Sequence, residues 1–76
     1  MPHVIVKLYA GRSEQEKAAL ADEIAKAIKT VLKSADKAIS VGIEDVRPQD
    51  WVEQVYRPDI LDNPTLYKKP GYDPLR

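Results

Sequence analysis

Two residues near the start of the chain carry usable chemistry, Pro2 and Arg12. If Met1 is removed, Pro2 becomes the N-terminus and its nitrogen is a secondary amine, which is a base. With Met1 attached, that nitrogen is an amide and has no basicity. Taken alone, a proline at position two more often just opens a strand, because its missing N–H costs nothing there. Arg12 taken alone reads as a solvated turn cation. Trp51 taken alone reads as a core or interface anchor. His3 is the single histidine; it falls on the opposite strand face from Pro2 and Val4 and is given no role. Tyr9, Tyr56, Tyr67 and Tyr72 can each donate a hydrogen bond in a pocket, and the sequence does not select among them.

The elements that must hold these residues follow from pattern. Val4, Val6 and Leu8 alternate with Ile5, Lys7 and Tyr9, which predicts a strand over 3–9. Ile5 on the second face suggests that both faces are at least partly covered. Ala10-Gly11-Arg12 is a turn, and Ser13-Glu14-Gln15-Glu16 fits a capping box. A helix over 14–33 follows, with Leu20, Ile24, Ala27, Ile28, Val31 and Leu32 as its apolar stripe and Ala18, Ala21 and Ala25 widening it. Acids early and lysines late suit the helix dipole. A second strand is expected over 38–44, with Ile39, Val41 and Ile43 on one face. Strand, helix and strand make an α/β fold of one βαβ unit, with parallel strands and a right-handed crossover. Pro48 suits the first turn of a short second helix over 49–56. Pro58, Pro64, Pro70 and Pro74 then punctuate a C-terminal arm. That arm is too apolar for a disordered tail (Ile60, Leu61, Leu66, Tyr67, Tyr72).

A chain of 76 residues is expected to be one domain, 1–76. At that size a monomer buries only about 60% of the surface its unfolded chain exposes. Disulfides, a metal or oligomerisation are the usual remedies. There are no cysteines and one histidine, so disulfides and thiolate metal sites are excluded and an all-protein zinc site is not expected. Oligomerisation remains. A two-stranded sheet is not independently stable either, so sheet extension across a subunit interface is a second argument for it. Twelve Lys plus Arg balance twelve Asp plus Glu, leaving no basic footprint for nucleic acid. No apolar run reaches the eighteen or so residues of a membrane span, and the start lacks the regions of a signal peptide. A cytoplasmic protein is the default expectation.

A short βαβ chain beginning Met1-Pro2, with Gly11-Arg12-Ser13 before a long helix, resembles the tautomerase superfamily typified by 4-oxalocrotonate tautomerase. The ending Lys68-Lys69-Pro70-Gly71-Tyr72, preceded by Pro48-x-x-Trp51, is similar to its dimeric phenylpyruvate-tautomerase-type branch. The resemblance covers nearly the whole chain; each motif alone is weak, and their order and spacing together are fairly specific. It implies interconversion of enol and keto forms of a 2-oxo acid, with the processed Pro2 as general base. It implies that Arg12 contacts a substrate carboxylate and that Trp51 falls near the apolar wall of the site. It also implies a homo-oligomer, a dimer by the KKPGY ending, with a hexamer as the other state known in the superfamily. Where the hexameric archetype has a second arginine, this chain has Gly42, which cannot clamp a second carboxylate. A monocarboxylate enol with an aromatic or apolar tail, such as phenylpyruvate, therefore fits better than a dicarboxylate. Gly42 also permits close approach of backbone or ligand.

The base must accept a proton and return it, so its pKa should lie near the working pH. Apolar burial and a nearby cation, Arg12 of the same or the next subunit, are what would lower the Pro2 amine into that range. No metal, nucleotide or covalent cofactor is required. Two other readings stand beside this one. The first is dehalogenation or hydration of an unsaturated acid by the same superfamily, which normally needs further polar pocket groups that the sequence does not identify. The second is a non-catalytic oligomeric binding module on the same fold, which retention of Met1 would favour.

Overall fold

The computed structural model describes residues 1–76. The first strand, β1 (His3–Tyr9), runs parallel to the second, β2 (Ser40–Val46), in register from His3 opposite Ser40 to Tyr9 opposite Val46. The helix α1 (Glu14–Leu32) connects them, completing the βαβ unit. Its N-terminus is the expected capping box: the Ser13 hydroxyl accepts from the Glu16 N–H, and the Glu16 carboxylate accepts from the Ser13 N–H, each at 3.1 Å. Gly11 has φ of 121°, a conformation nearly closed to residues with a Cβ. This turn lets the chain leave β1 and start α1 with Arg12 on its rim.

Three expectations are corrected. β2 begins and ends two residues later than predicted, because Asp36–Ala38 forms a 3₁₀ turn that delays it. The covered stripe of α1 is Lys17, Ala21, Ile24, Ala25 and Ile28, whereas Leu20, Ala27, Val31 and Leu32 are exposed. The 19-residue helix spans roughly 28 Å, against roughly 23 Å for a seven-residue strand. Its last turn therefore overshoots the sheet, and Val31 and Leu32 have nothing under them.

The second helix is the third correction. Pro48–Asp50 is a 3₁₀ turn, and a π-helix then runs from Val52 to Leu61, straight through Pro58. In an α-helix the proline ring would strike the carbonyl four residues earlier. The wider i→i+5 turn moves that carbonyl aside; Asp62 N–H still donates to Arg57 at 3.0 Å in this register. Only the carbonyl of Glu53, an exposed residue, loses its i+5 donor to the ring.

Val46, Val55 and Tyr56 are the only buried residues. They join the end of β2 to the π-helix. α1 covers the sheet face bearing Val41 and Ile43, and the π-helix partly covers the face bearing Ile5 and Lys7. The chain exposes 5975 Å². A folded monomer of 8.6 kDa typically exposes about 4,700 Å². The radius of gyration is likewise 14.0 Å where about 11 Å is usual for this length.

Candidate active site

Pro2 stands half-buried at the start of β1, and its carbonyl accepts from Ser40 N–H at 3.2 Å. That bond fixes the residue at the mouth of the sheet. Met1 in front of it is 97% exposed. His3 Nδ1 lies 2.6 Å from the Ser40 hydroxyl in an exposed position. No cavity of the chain includes Pro2.

Arg12 lines a hollow of about 190 Å³ with Leu8, Glu16, Lys17 and Leu20. Its only partner is Glu16, at 3.4 Å. Glu16 is already committed to Ser13, whose backbone hydrogen bond is the main reason its carboxyl lies below the usual range. Arg12 is therefore held loosely and is available to an incoming anion. Lys17 beside it is a different kind of cation. It is gripped by Glu14 at 3.1 Å and Asp45 at 3.2 Å, hydrogen bonds that push its pKa up, so its charge is already neutralised.

Trp51 sits on the other sheet face, where the 3₁₀ turn passes into the π-helix. Its ring meets Tyr9 edge to face, with centroids 5.2 Å apart. Its Nε1 donates to the Tyr72 hydroxyl at 2.9 Å. Tyr9, Trp51 and Tyr72 line a hollow of about 220 Å³. Trp51 is thus an anchor between Tyr9 and Tyr72 that also lines this hollow. The sequence could not choose among the tyrosines; here Tyr9 and Tyr72 face this hollow, Tyr56 is buried, and Tyr67 is fully exposed. Along the same face Lys7 pairs with Asp59 in a second hollow beside Ile5, Trp51 and Ile60. No sequence signal announced that pair, since 52 positions separate its members.

One chain does not bring Pro2 and Arg12 together. They lie beyond opposite ends of β1, roughly 23 Å of strand apart. Charges more than about 8 Å apart through solvent are largely screened at physiological salt, so a chain's own Arg12 does not tune its own Pro2. Arg12 and Trp51 share an end of the sheet, on opposite faces.

A family model described as tautomerase enzyme matches residues 2–58, from Pro2 to the middle of the π-helix. The chain belongs to the tautomerase family. A probable tautomerase of Xylella fastidiosa is 49% identical over 76 residues, covering 99% of this chain and 93% of that protein. The tautomerase PptA of Pectobacterium carotovorum is 39% identical over 74 residues, covering 95% and 97%. Among solved structures, TomN, a 4-oxalocrotonate tautomerase homologue of the tomaymycin biosynthetic pathway, superposes with a TM-score of 0.64 at 36% identity. That match covers 66% of this chain and 77% of TomN. The YwhB homologue of 4-oxalocrotonate tautomerase gives a TM-score of 0.59 at 33% identity, covering 60% and 75%. The curated relatives thus extend along nearly the whole tautomerase chain, whereas the structural matches leave about a third of it uncovered.

In this tautomerase Gly42 pairs with Ile5 across the sheet. A Cβ built there would meet nothing within 4 Å. Nothing of the same chain occupies the place of that Cβ, so within one subunit no neighbour uses the space the glycine leaves. The missing side chain is left as open space beside Ile5, itself 53% exposed.

Proposed function

We propose that the chain is a cytoplasmic, cofactor-independent tautomerase that interconverts enol and keto forms of a 2-oxo acid, phenylpyruvate-like, with Pro2 as general base. The processed Pro2 nitrogen takes the enol O–H proton. The carbonyl forms at C2 as the C2–C3 double bond opens, and the same proton is returned to C3. Arg12 of a neighbouring subunit holds the substrate carboxylate and places positive charge beside the amine. Trp51 supplies the apolar wall. One cation at Arg12 and open space at Gly42 suit a monocarboxylate.

The position of Pro2 is the observation that carries this reading. It is fixed to β2 through its carbonyl while the residue in front of it hangs in solvent. The assembly rests on area. The excess of roughly 1,300 Å² over a typical monomer is more than the ~800 Å² per partner of a standard interface. A homodimer can cover it, and a dimer is also what brings a second chain's Arg12 to Pro2.

Intact mass of the natively expressed chain, with enol turnover of Pro2→Ala, tests the proposal. Loss of Met1 is expected, together with loss of most activity in the variant at unchanged oligomeric mass. Retained methionine, or full activity in Pro2→Ala, would end the case for the proline base.

A further inference from the structure

We propose that the C-terminal arm is a docking surface for a second copy of this chain, with Tyr67 of each copy entering the hollow between the π-helix and the arm of the other. The assignment rests on the homodimer proposed above and says where its two copies grip each other; it asks nothing of the enol chemistry. Tyr67 is 100% exposed, while Leu66 beside it turns into the hollow. The hollow holds about 490 Å³, and Tyr56, Ile60, Leu66, Pro70 and Tyr72 supply most of its apolar wall. A cavity of about 150 Å³ already admits benzene, so a tyrosine ring has ample room.

The arm is built to hold Tyr67 outward. At its start the Asn63 amide donates to the Asp59 carbonyl at 3.0 Å, and its side-chain oxygen accepts from Thr65 N–H at 2.9 Å. At the far end Trp51 Nε1 donates to the Tyr72 hydroxyl at 2.9 Å, and Tyr72 packs against the buried Tyr56 with centroids 5.9 Å apart. The stretch from Thr65 to Tyr72 is therefore an arch pinned at both ends, with Tyr67 on its outside. A ring on a fixed arch loses less freedom on docking than one on a free tail. Tyr67 and the hollow also belong to one stretch of chain. A two-fold axis beside that stretch sets each Tyr67 over the other copy's hollow at once, the self-complementary contact of a symmetric dimer.

Charge and area support the same pairing. Lys68 makes no ion pair within the chain, and neither does Asp62. Asp62 stands between Leu61 and Asn63, which both line the hollow, so a partner's Tyr67 brings Lys68 to Asp62 at the rim. Such a pair fixes register and disfavours other dockings. One tyrosine buries about 150–250 Å², roughly a quarter of the ~800 Å² that a standard interface takes from each partner. The excess surface of roughly 1,300 Å² accommodates the remainder.

Sedimentation of the full chain over a dilution series reads this contact without substrate. The wild-type chain is expected to dimerise. Tyr67→Ala should raise the dissociation constant about thirtyfold, and Tyr67→Phe should keep most of the affinity. Leu75→Ala, 44% exposed on the same arm but outside the hollow, should dimerise as wild type. Lys68→Asp and Asp62→Lys should each weaken the dimer, and the two combined should tighten it again. A Tyr67→Ala protein that dimerises as wild type would overturn the arm contact, as would a double swap no tighter than the single ones. A wild-type chain that stays monomeric would end both this contact and the homodimer it rests on. Turnover of Pro2→Ala judges the proline base separately, and its result moves neither mass nor dissociation constant.

Discussion

Pro2 and Arg12 are tied to opposite ends of β2. The Pro2 carbonyl accepts from Ser40, the first residue of β2, and Ala10 just before the Arg12 turn donates to Val46, the last, at 3.0 Å. Strand length then fixes their separation, and no rotamer of either side chain closes it. If both serve one substrate, they do so from different chains. Pro2→Ala and Arg12→Ala homo-oligomers, each impaired alone, should complement when unfolded together and refolded. In a random mixture of dimers about a quarter of the sites receive an intact Pro2 from one parent and an intact Arg12 from the other. Recovery of activity toward that fraction is expected. Activity no higher than that of the parents would mean that the two residues do not share a site across the interface.

The βαβ order, the first strand and the capping box were legible because each depends on local spacing. What escaped depends on contacts made at a distance. Val31 and Leu32 have the periodicity of a buried stripe, and periodicity cannot say that the sheet beneath is too short to cover them. Pro58 signals a helix stop only if the helix is α; the π register that tolerates it has no sequence signature. Pro2, Arg12 and Trp51 drew notice by residue type and family likeness. Their separation became visible only when β1 was laid against β2. The selection of Tyr72 over Tyr67 needed the path of the arm back to Trp51.

Lys7 and Asp59 pin the π-helix to the open face of the sheet, with side chains 30% and 41% exposed. The hydrogen bond to Asp59 raises the Lys7 pKa above its ordinary 10.5. A raised lysine pKa gives stability that is complete below the unfolded value and lost as pH rises through the folded one. The pair's contribution should therefore persist at neutral pH and fade above 10.5. Asp59→Asn is expected to cost about 1 kcal/mol or less at neutral pH, as partly exposed pairs do. It should also flatten the alkaline decline. Urea midpoints across the alkaline range check this; an unchanged alkaline slope in the variant would show that Lys7 gains nothing from Asp59.

At the start of α1 the sign is reversed. The Ser13 backbone N–H holds the Glu16 carboxyl below its ordinary 4.5. A depressed carboxyl pKa gives stability that is present above the unfolded value and lost as pH falls through the folded one. Ser13→Ala removes the hydroxyl half of the capping box and should cost about 1 kcal/mol. Its backbone N–H survives, so the acid-side loss of stability should remain visible in that variant and be weakened in Glu16→Ala. Chemical denaturation on both sides of 4.5 separates the two halves. An acid response that is identical in Glu16→Ala and the parent would remove Glu16 from the account.

Three buried residues are a small core for a 76-residue chain, and the consequence is measurable. Val31 and Leu32 at the end of α1 are 75% and 61% exposed, and Ile5 and Tyr9 on the open sheet face are each 53% exposed. The isolated subunit thus leaves roughly 1,300 Å² more surface in water than a typical monomer of its mass. Folding should then be coupled to assembly, and the melting temperature should rise with protein concentration by mass action. Thermal unfolding over a roughly hundredfold dilution series, with solution mass at each end, is the check. A concentration-independent transition together with the mass of a single 8.6 kDa chain would show that the excess surface is tolerated. The composite site would then have no second subunit to supply it.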